Sequence, residues 1–474
     1  MFRIFRGMRE LAEKAASLLK RAGSVTVVSH IDADGISSGA IASLALDNAG
    51  IAHEVVFTKK MDEVFTSQLR AMKPEMVWFT DLGSGSTNML DGLSGVISDH
   101  HKPTDAPMGK QKKGSRKTLF DYEEKPGDDF IQVNPHMVGR DGGIDISGAG
   151  CAYLVARAMD PELRRFAHIA VVGAVGDMQD REAGRLTGTN REILADGQEF
   201  GVVEVQEDLN LFGRETRPVW KMLQYANDLN IKGITDDYRG SMDFFMELGI
   251  NLKKGESWRP WSDMKKAEKK IIISALAELV PVEEFTGEVY TFPMEKKGTE
   301  LREAKEYATL LNSCGRYDAA ELGLKVCKGD RGEALDLALG LRKGHRKQLV
   351  DSIQIMESIG ISQMEHIQFV HVGDMIRDTI VGTVAGMLFG SGKVDDRKPI
   401  FALAVADDGI KVSGRGTKQL VDAGLDLSDV MRRTTEKLGG VGGGHNIAAG
   451  ATIAPENVNE FLELANEIVG AQLA

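Results

Sequence analysis

Four segments of this sequence end an apolar run in groups that can bind a hard cation or move a proton. The first is HIDADG, residues 30–35, directly behind the β-prone run SVTVVS. Asp32 and Asp34 stand two residues apart where the chain would leave a sheet, so both can turn toward one point. His30 adds a nitrogen that leans such an oxygen-rich site toward Mn²⁺. Gly35 permits a sharp turn, and a helix starting there would offer its N-terminus to an anion. The second is Asp81 in MVWFTDLGSG, the third is Asp99-His100-His101 behind GVIS, and the fourth is Asp177, which ends the apolar segment HIAVVGAVG. Adjacent histidines at a strand end can face different ways, one toward a metal and the other toward a substrate oxygen. Each segment taken alone reads more readily as a cap or a turn carboxylate. Four apolar elements ending this way within the first 180 residues are hard to obtain from capping, and together they predict a metal centre.

Such groups need a scaffold. Residues 24–100 alternate short β-rich runs (SVTVVSH, HEVVFT, MVWFT, GVIS) with helical stretches such as 36–48. This alternation predicts an α/β fold whose N-terminal domain is a parallel sheet flanked by helices, with ligands bound at the C-terminal strand ends. Residues 108–129 read as a loop before the strand FIQVNP, and their basic cluster GKQKKGSRK, 109–117, as a solvated part of it; helices follow over 148–200. Residues 201–345 are charged and helix-prone and hold every tryptophan except Trp78, which suggests a helix-rich middle or insertion domain. From 346 onward strand-like and helical segments return and close on a glycine-rich turn, predicting a smaller C-terminal α/β domain. A chain of 474 residues accommodates these three domains, 1–200, 201–345 and 346–474.

The composition, 42% hydrophobic and 27% charged, is that of a soluble globular protein. No apolar run reaches the length of a membrane span, and the N-terminus reads as an amphipathic helix, so a cytoplasmic location without membrane contact is expected. Cys151, Cys314 and Cys327 form no CxxC pair, which argues against structural zinc and disulfides. A net charge of −12 opposes broad attraction to phosphates, so any nucleic-acid binding must be local.

The motifs resemble those of the DHH phosphoesterases, named for the triplet seen here as Asp99-His100-His101, and most of all the archaeal RecJ-like exonucleases of the GINS-associated nuclease type. HIDADG, TDLG, SDHH and GAVGD stand in that family's order, and VNPHMVGRDGGIDISGAGCAY resembles the segment that follows its DHH motif. GGVGGGHNIAAGATI, 439–453, resembles the signature of the DHHA-type substrate-binding domain, while LFGRETRP and WRPWSDM look like the archaeal members. The resemblance implies a DHH catalytic domain, a middle insertion and a DHHA-type domain. It also implies two divalent ions, Mn²⁺ favoured and Mg²⁺ tolerated, held by Asp32, Asp34, Asp81, His100 and Asp177 with Asp81 bridging. His30 occupies a place where the family carries Asp or His. His101 would contact the scissile phosphate and Asp99 would orient a histidine. Two cations so placed would activate a bridging water and stabilise charge on the phosphorane oxygens, without a protein nucleophile.

Gly442, Gly443 and Gly444 would let backbone amides approach a phosphate, with His445 and Asn446 as donors and Arg415 as a bidentate grip. Ser147 to Gly150 could start a helix whose amides lie near substrate, and Asn134 could hold a turn, though both read equally as caps. Arg377 and His371 read as structural, and Arg214 and Arg217 as salt-bridging rather than nucleic-acid-binding residues.

The leading expectation is an exonuclease on single-stranded DNA, or RNA, in replication or repair. A cleft between two domains would admit one strand and exclude a duplex, and an aromatic content of 6% favours backbone recognition over stacking. One alternative is a short-oligonucleotide or cyclic-dinucleotide phosphodiesterase, which the long middle region argues against. Another is a replisome scaffold bound to GINS or the replicative helicase complex, against which the intact ligand set speaks.

Overall fold

The computed structural model describes residues 2–103, 130–226, 229, 231–389 and 393–473, so the basic cluster at 109–117 lies outside the described residues. The chain divides into two compact units, Met1–Arg342 and Lys343–Ala474.

In the first unit β1 (Ser24–His30), β2 (Ala52–Thr58), β3 (Val77–Thr80), β4 (Gly95–Ser98) and β5 (Phe130–Val133) form the expected parallel sheet, in the order β2-β1-β3-β4-β5. The apolar runs become strands because both faces are covered. Every residue of β3 and β4 is buried, as are Val25 to Ser29 of β1. Val28, Phe79 and Ile97 pack with Leu69, Leu90 and Leu93 on one face, while Val27, Trp78 and Val96 join the larger core on the other. From β1 the order runs one way to β2 and the other way to β3, β4 and β5. This reversal is the topological switch point of an open parallel sheet, and the crevice beyond the carboxyl ends of β1 and β3 is where such sheets bind ligands.

Helix Ala33–Ala49 fills the large core. It is buried continuously from Ala33 to Ser43, and its small residues let helices Gly148–Met159 and Ala167–Gly176 come close. A Cβ added at Gly173 would lie 2.4 Å from Asp34 Oδ1 and 2.5 Å from Ala149 Cβ, so only glycine fits where the three helices meet.

The stretch 201–345 is divided between two cores. Leu209 to Phe285 surround Trp261 and Phe245 in a core of their own. Tyr290, Phe292, Tyr307, Leu311, Ala334 and Ala338 belong instead to the core of the parallel sheet. Helix Ala304–Arg316 explains the division, because its buried residues Ala304, Tyr307, Ala308, Leu311 and Gly315 recur at helical spacing and the helix packs against Ala33–Ala49 and Ala167–Gly176. The helix-prone middle also contains two antiparallel strands, Glu204–Leu209 and Thr286–Thr291. Arg214, read as a salt-bridging residue, is buried in an ion pair with Asp208, which also accepts from Trp261 Nε1 at 3.1 Å and Lys269 Nζ at 2.8 Å. Arg217 lies over the Phe212 ring at 4.5 Å.

Beside this network, Glu303 caps the Ala304–Arg316 helix, accepting from Glu306 N at 3.1 Å. Burial pushes its pKa up to about 7 against the attraction of Arg214. The folded state therefore favours the protonated acid. The site's contribution to stability falls as pH rises from the ordinary value of 4.5 through about 7. Glu303→Gln keeps the capping oxygen and removes the charge. It is expected to raise the melting temperature by a few degrees at pH 8 and to leave it nearly unchanged at pH 4, as circular-dichroism melts at the two pH values would read.

The second unit is a six-stranded sheet in the spatial order Ser362–Gln363, Gln368–Gly373, Ile400–Ala406, Gly409–Arg415, Ala448–Ile453, Val441–Gly444. Cores built on Phe401 and Phe461 and on Val370 and Val384 lie within it. The glycine run expected as a turn is a strand, Val441–Gly444, at the edge of this sheet. A Cβ at Gly442 would lie 2.8 Å from Met431 O, and one at Gly440 would lie 2.3 Å from Thr452 O. The glycines thus serve close backbone approach to helix Leu427–Leu438 and the neighbouring strand. No helix among the described residues is long and apolar enough to cross a membrane.

Candidate metal centre

The crevice at the switch point collects the four segments. β1 ends at His30, after which Asp32 caps the Ala33–Ala49 helix by accepting from Gly35 N at 2.9 Å. A Cβ on Gly35 would lie 2.2 Å from His30 O, so the turn needs glycine. Asp34 is buried in the first turn, and its two oxygens accept from Gly148 N at 2.7 Å and Ala149 N at 3.0 Å. Behind β3, Asp81 takes the left-handed conformation with φ 60°, which an aspartate tolerates better than most residues. Behind β4, fully buried Asp99 accepts from Ser84 N, His100 N, His101 N and His101 Nδ1, tying the loops after β3 and β4 together. Asp177 caps the C-terminal end of Ala167–Gly176.

These residues form three overlapping donor groups: His30, Asp32 and Asp81; Asp34, His100 and Asp177; and Asp81, His100 and His101, the donor atoms of each lying within 4.8 Å of one another. His100 Nε2 stands 3.4 Å from Asp81 Oδ1, 3.5 Å from Asp177 Oδ2 and 3.7 Å from Asp34 Oδ2. His30 Nδ1 is 3.0 Å from Asp32 Oδ2 and 3.6 Å from Asp81 Oδ2. The shorter of these separations suits charge attraction, but it lacks hydrogen-bond alignment: His30 Nδ1 and Asp81 Oδ1 are buried without a hydrogen-bond partner. Unsatisfied buried donors and acceptors of this kind are what a divalent ion would satisfy, and the oxygen and imidazole set suits Mn²⁺ or Mg²⁺.

The electrostatics point the same way. Burial, then repulsion from Asp81, pushes Asp34 well above the usual carboxylate range. Asp177 rises to about 6, again through burial, with repulsion from Asp81 and Asp32 opposing the pull of His100. Burial would also raise Asp81, but His100 and His30 outweigh it and hold this carboxyl low. Burial disfavours charge on His30 and His100, yet their carboxylate neighbours raise both well above the usual imidazole value. The cluster gathers more carboxylate charge than its two imidazoles balance, the condition a bound cation would relieve.

Groups from outside the four segments complete the site. Asn312 Oδ1 accepts from Ala33 N at 2.9 Å, and Arg316, its pKa lowered by burial, lies near enough to Asp32 to feel its charge. Both come from helix Ala304–Arg316, whose amphipathic pattern gave no sign of a site. Gln179 and Gly142 meet behind His100. Asn134 bridges Ser84 Oγ and His101 O, each at 2.9 Å, and accepts from His136 N. Ser147 is fully buried and accepts from Gly150 N at 3.2 Å, while the first amides of its helix donate to Asp34.

The remaining candidates lie in the second unit. Arg415 ends strand Gly409–Arg415 and donates to Gly414 O at 2.7 Å, and a Cβ on Gly382 would lie 2.5 Å from its guanidinium. Gly443 and Gly444 pair with Gly450 and Ala449. His445 and Asn446 are exposed in the following turn, which His445 N closes onto Ala448 O at 2.8 Å. His371 and Arg377 are exposed.

The DHH-CID domain matches at residues 211–284, across the middle core, and the DHHA1 domain at residues 366–471. An uncharacterized protein of Methanocaldococcus jannaschii is 28% identical over 465 residues, covering 96% of this chain and 95% of that protein. RecJ from Thermus thermophilus in complex with Mn²⁺ shares the fold with a TM-score of 0.57 at 16% identity; the match covers 98% of this chain and spans 55% of RecJ. Its complex with Mg²⁺ gives a TM-score of 0.51 at 16% identity, covering 98% of this chain and 52% of that one. CDC45 from Entamoeba histolytica gives a TM-score of 0.62 at 13% identity, covering 98% of this chain and 99% of that one. The chain thus carries matches to the DHH-CID and DHHA1 domains and shares its fold with RecJ and CDC45.

Proposed function

We propose that this chain is a metal-dependent exonuclease that hydrolyses phosphodiester bonds of single-stranded DNA in replication or repair, with RNA as a second substrate. His30, Asp32, Asp34, Asp81, His100 and Asp177 are the proposed ligands of two divalent ions, Mn²⁺ favoured. What carries the reading is the overlap of the donor groups at Asp81 and His100, together with the unsatisfied His30 Nδ1 and Asp81 Oδ1. Divalent ions bound there would supply the charge that activates an attacking water and stabilises phosphoryl oxygens. Asp81 belongs to two of the groups, which favours it as the bridging ligand. The Asp99 carboxylate only accepts, so the 2.8 Å contact keeps a proton on His101 Nδ1 and leaves Nε2 of this 59% exposed side chain for a phosphate oxygen. Arg316 adds a guanidinium beside Asp32. Arg415, Gly443, Gly444, His445 and Asn446 are the proposed substrate-binding set of the C-terminal domain, 346–474. Residues 1–200 and 201–345 are assigned as catalytic and middle domains.

The test is degradation of single-stranded DNA and RNA labelled at either end, with Mn²⁺, beside a duplex and a dinucleotide. Stepwise loss of the long single strand, abolished by chelation, is the expected result. Cleavage of the dinucleotide alone would replace this reading by the small-substrate phosphodiesterase. No cleavage of any substrate would overturn the enzyme reading in favour of a scaffold, to be probed with GINS.

A further inference from the structure

His100 can present a lone pair at Nε2 to Asp34, Asp81, Asp177 and any cation among them only if its proton sits on Nδ1. Nδ1 lies 2.8 Å from Gly142 O, a carbonyl that can only accept. That carbonyl accepts a second bond, from Gln179 Nε2 at 2.9 Å. The orientation of the Gln179 amide is settled by its partners, because Gly142 O requires a donor while Asn190 Nδ2 donates to Gln179 Oε1 at 2.8 Å. Gln179 and Asn190 are 2% and 1% exposed, so both side chains are shielded from bulk solvent.

The backbone brings these groups together at close quarters. A Cβ on Gly142 would lie 1.8 Å from His100 O, so the loop is pressed against His100 and only glycine fits. Gln179 follows Asp177 by two residues across Met178, a non-glycine residue at φ 57°. This turn separates Asp177, aimed at His100 Nε2, from Gln179, which reaches the opposite side of the same imidazole through Gly142.

We propose that Gln179 is a positioning residue: by pinning the Gly142 carbonyl onto His100 Nδ1, with Asn190 holding its amide in register, it fixes the orientation in which His100 Nε2 faces the metal-binding carboxylates. The inference rests on the metal reading above for its consequence, but not for its geometry. Partners behind a metal-bound histidine are commonly worth about tenfold or more in metal affinity.

Gln179→Met keeps the length of the side chain and removes the donor. In histidine-labelled protein the downfield Nδ1–H resonance of His100, identified by its absence in His100→Gln, is expected to persist in wild type and to vanish by solvent exchange in Gln179→Met. Calorimetric titration with MnCl₂ is expected to show about tenfold weaker binding. Asn190→Asp, which leaves Gln179 in place but sets an acceptor against its Oε1, is expected to weaken the same resonance and serves if Gln179→Met does not fold. A resonance kept in the variants overturns the proposal whatever the affinity does. Should wild type bind no Mn²⁺, the metal reading fails separately, and the resonance still decides the role of Gln179.

Discussion

Asp81→Asn is expected to lower Mn²⁺-dependent cleavage by at least about a thousandfold and to abolish the rise in melting temperature that Mn²⁺ produces in the wild type. Asparagine is nearly isosteric and tolerates the left-handed conformation that Asp81 holds at φ 60°, so the substitution isolates charge from backbone strain. What it removes is the carboxylate shared by two of the donor groups, 3.4 Å from His100 and 3.6 Å from His30. Neither group has another acid in that position. Single-turnover cleavage and melts with and without Mn²⁺ provide the measurement; more than a tenth of wild-type activity, or an unchanged Mn²⁺-induced shift, would remove Asp81 from the bridging role.

Gly315→Ala is expected to destabilise the protein by about 3 kcal/mol and to weaken Mn²⁺ binding, although glycine-to-alanine changes inside helices ordinarily stabilise by up to about 1 kcal/mol. The added Cβ would lie 1.8 Å from Ile31 O, within the HIDADG turn itself. Relieving that overlap must push the Ala304–Arg316 helix away from the turn, and with it the bond from Ala33 N to Asn312 Oδ1 and the charge of Arg316. Gly340→Ala is the internal control. It lies in helix Glu333–Ile359, is exposed, and its Cβ would meet nothing within 4 Å, so neutral or slightly raised stability is expected. If urea unfolding shows the two variants alike, the close approach of the helix to the HIDADG turn is wrong.

Much of this site was legible in the sequence because its groups sit at strand ends. A parallel strand buried on both faces is written as an unbroken apolar run, and the residue that follows must leave the sheet at its carboxyl edge. His30 to Asp34, Asp81 and Asp99 to His101 therefore announce themselves locally, without knowledge of their neighbours. Asp177 was legible for a related reason: helix Ala167–Gly176 is apolar all round, and an acid at its end stands out.

Other features carry no such local mark. Gly142, Gly148, Gly173 and Gly315 look like ordinary glycines, and their requirement arises only from backbone or side-chain atoms distant in sequence. The glycine run 439–444 has the composition of a turn but lies as an edge strand, since its lack of side chains suits close approach to a helix. The division of the middle stretch was equally hidden: helix-prone composition does not say which core a helix covers, and Ala304–Arg316 covers that of the parallel sheet.

By itself the sequence determined the strands of the parallel sheet, the edge of that sheet where its acids and imidazoles gather, and the identities of those groups, because strand periodicity and ligand chemistry are local properties. The tertiary structure alone decided which of these groups come within reach of one another, which carbonyl faces His100 Nδ1, and which distant residues brace them. Those outcomes depend on approaches of 2.7 to 3.7 Å between segments tens to hundreds of residues apart, set by packing and by the places where only glycine leaves room.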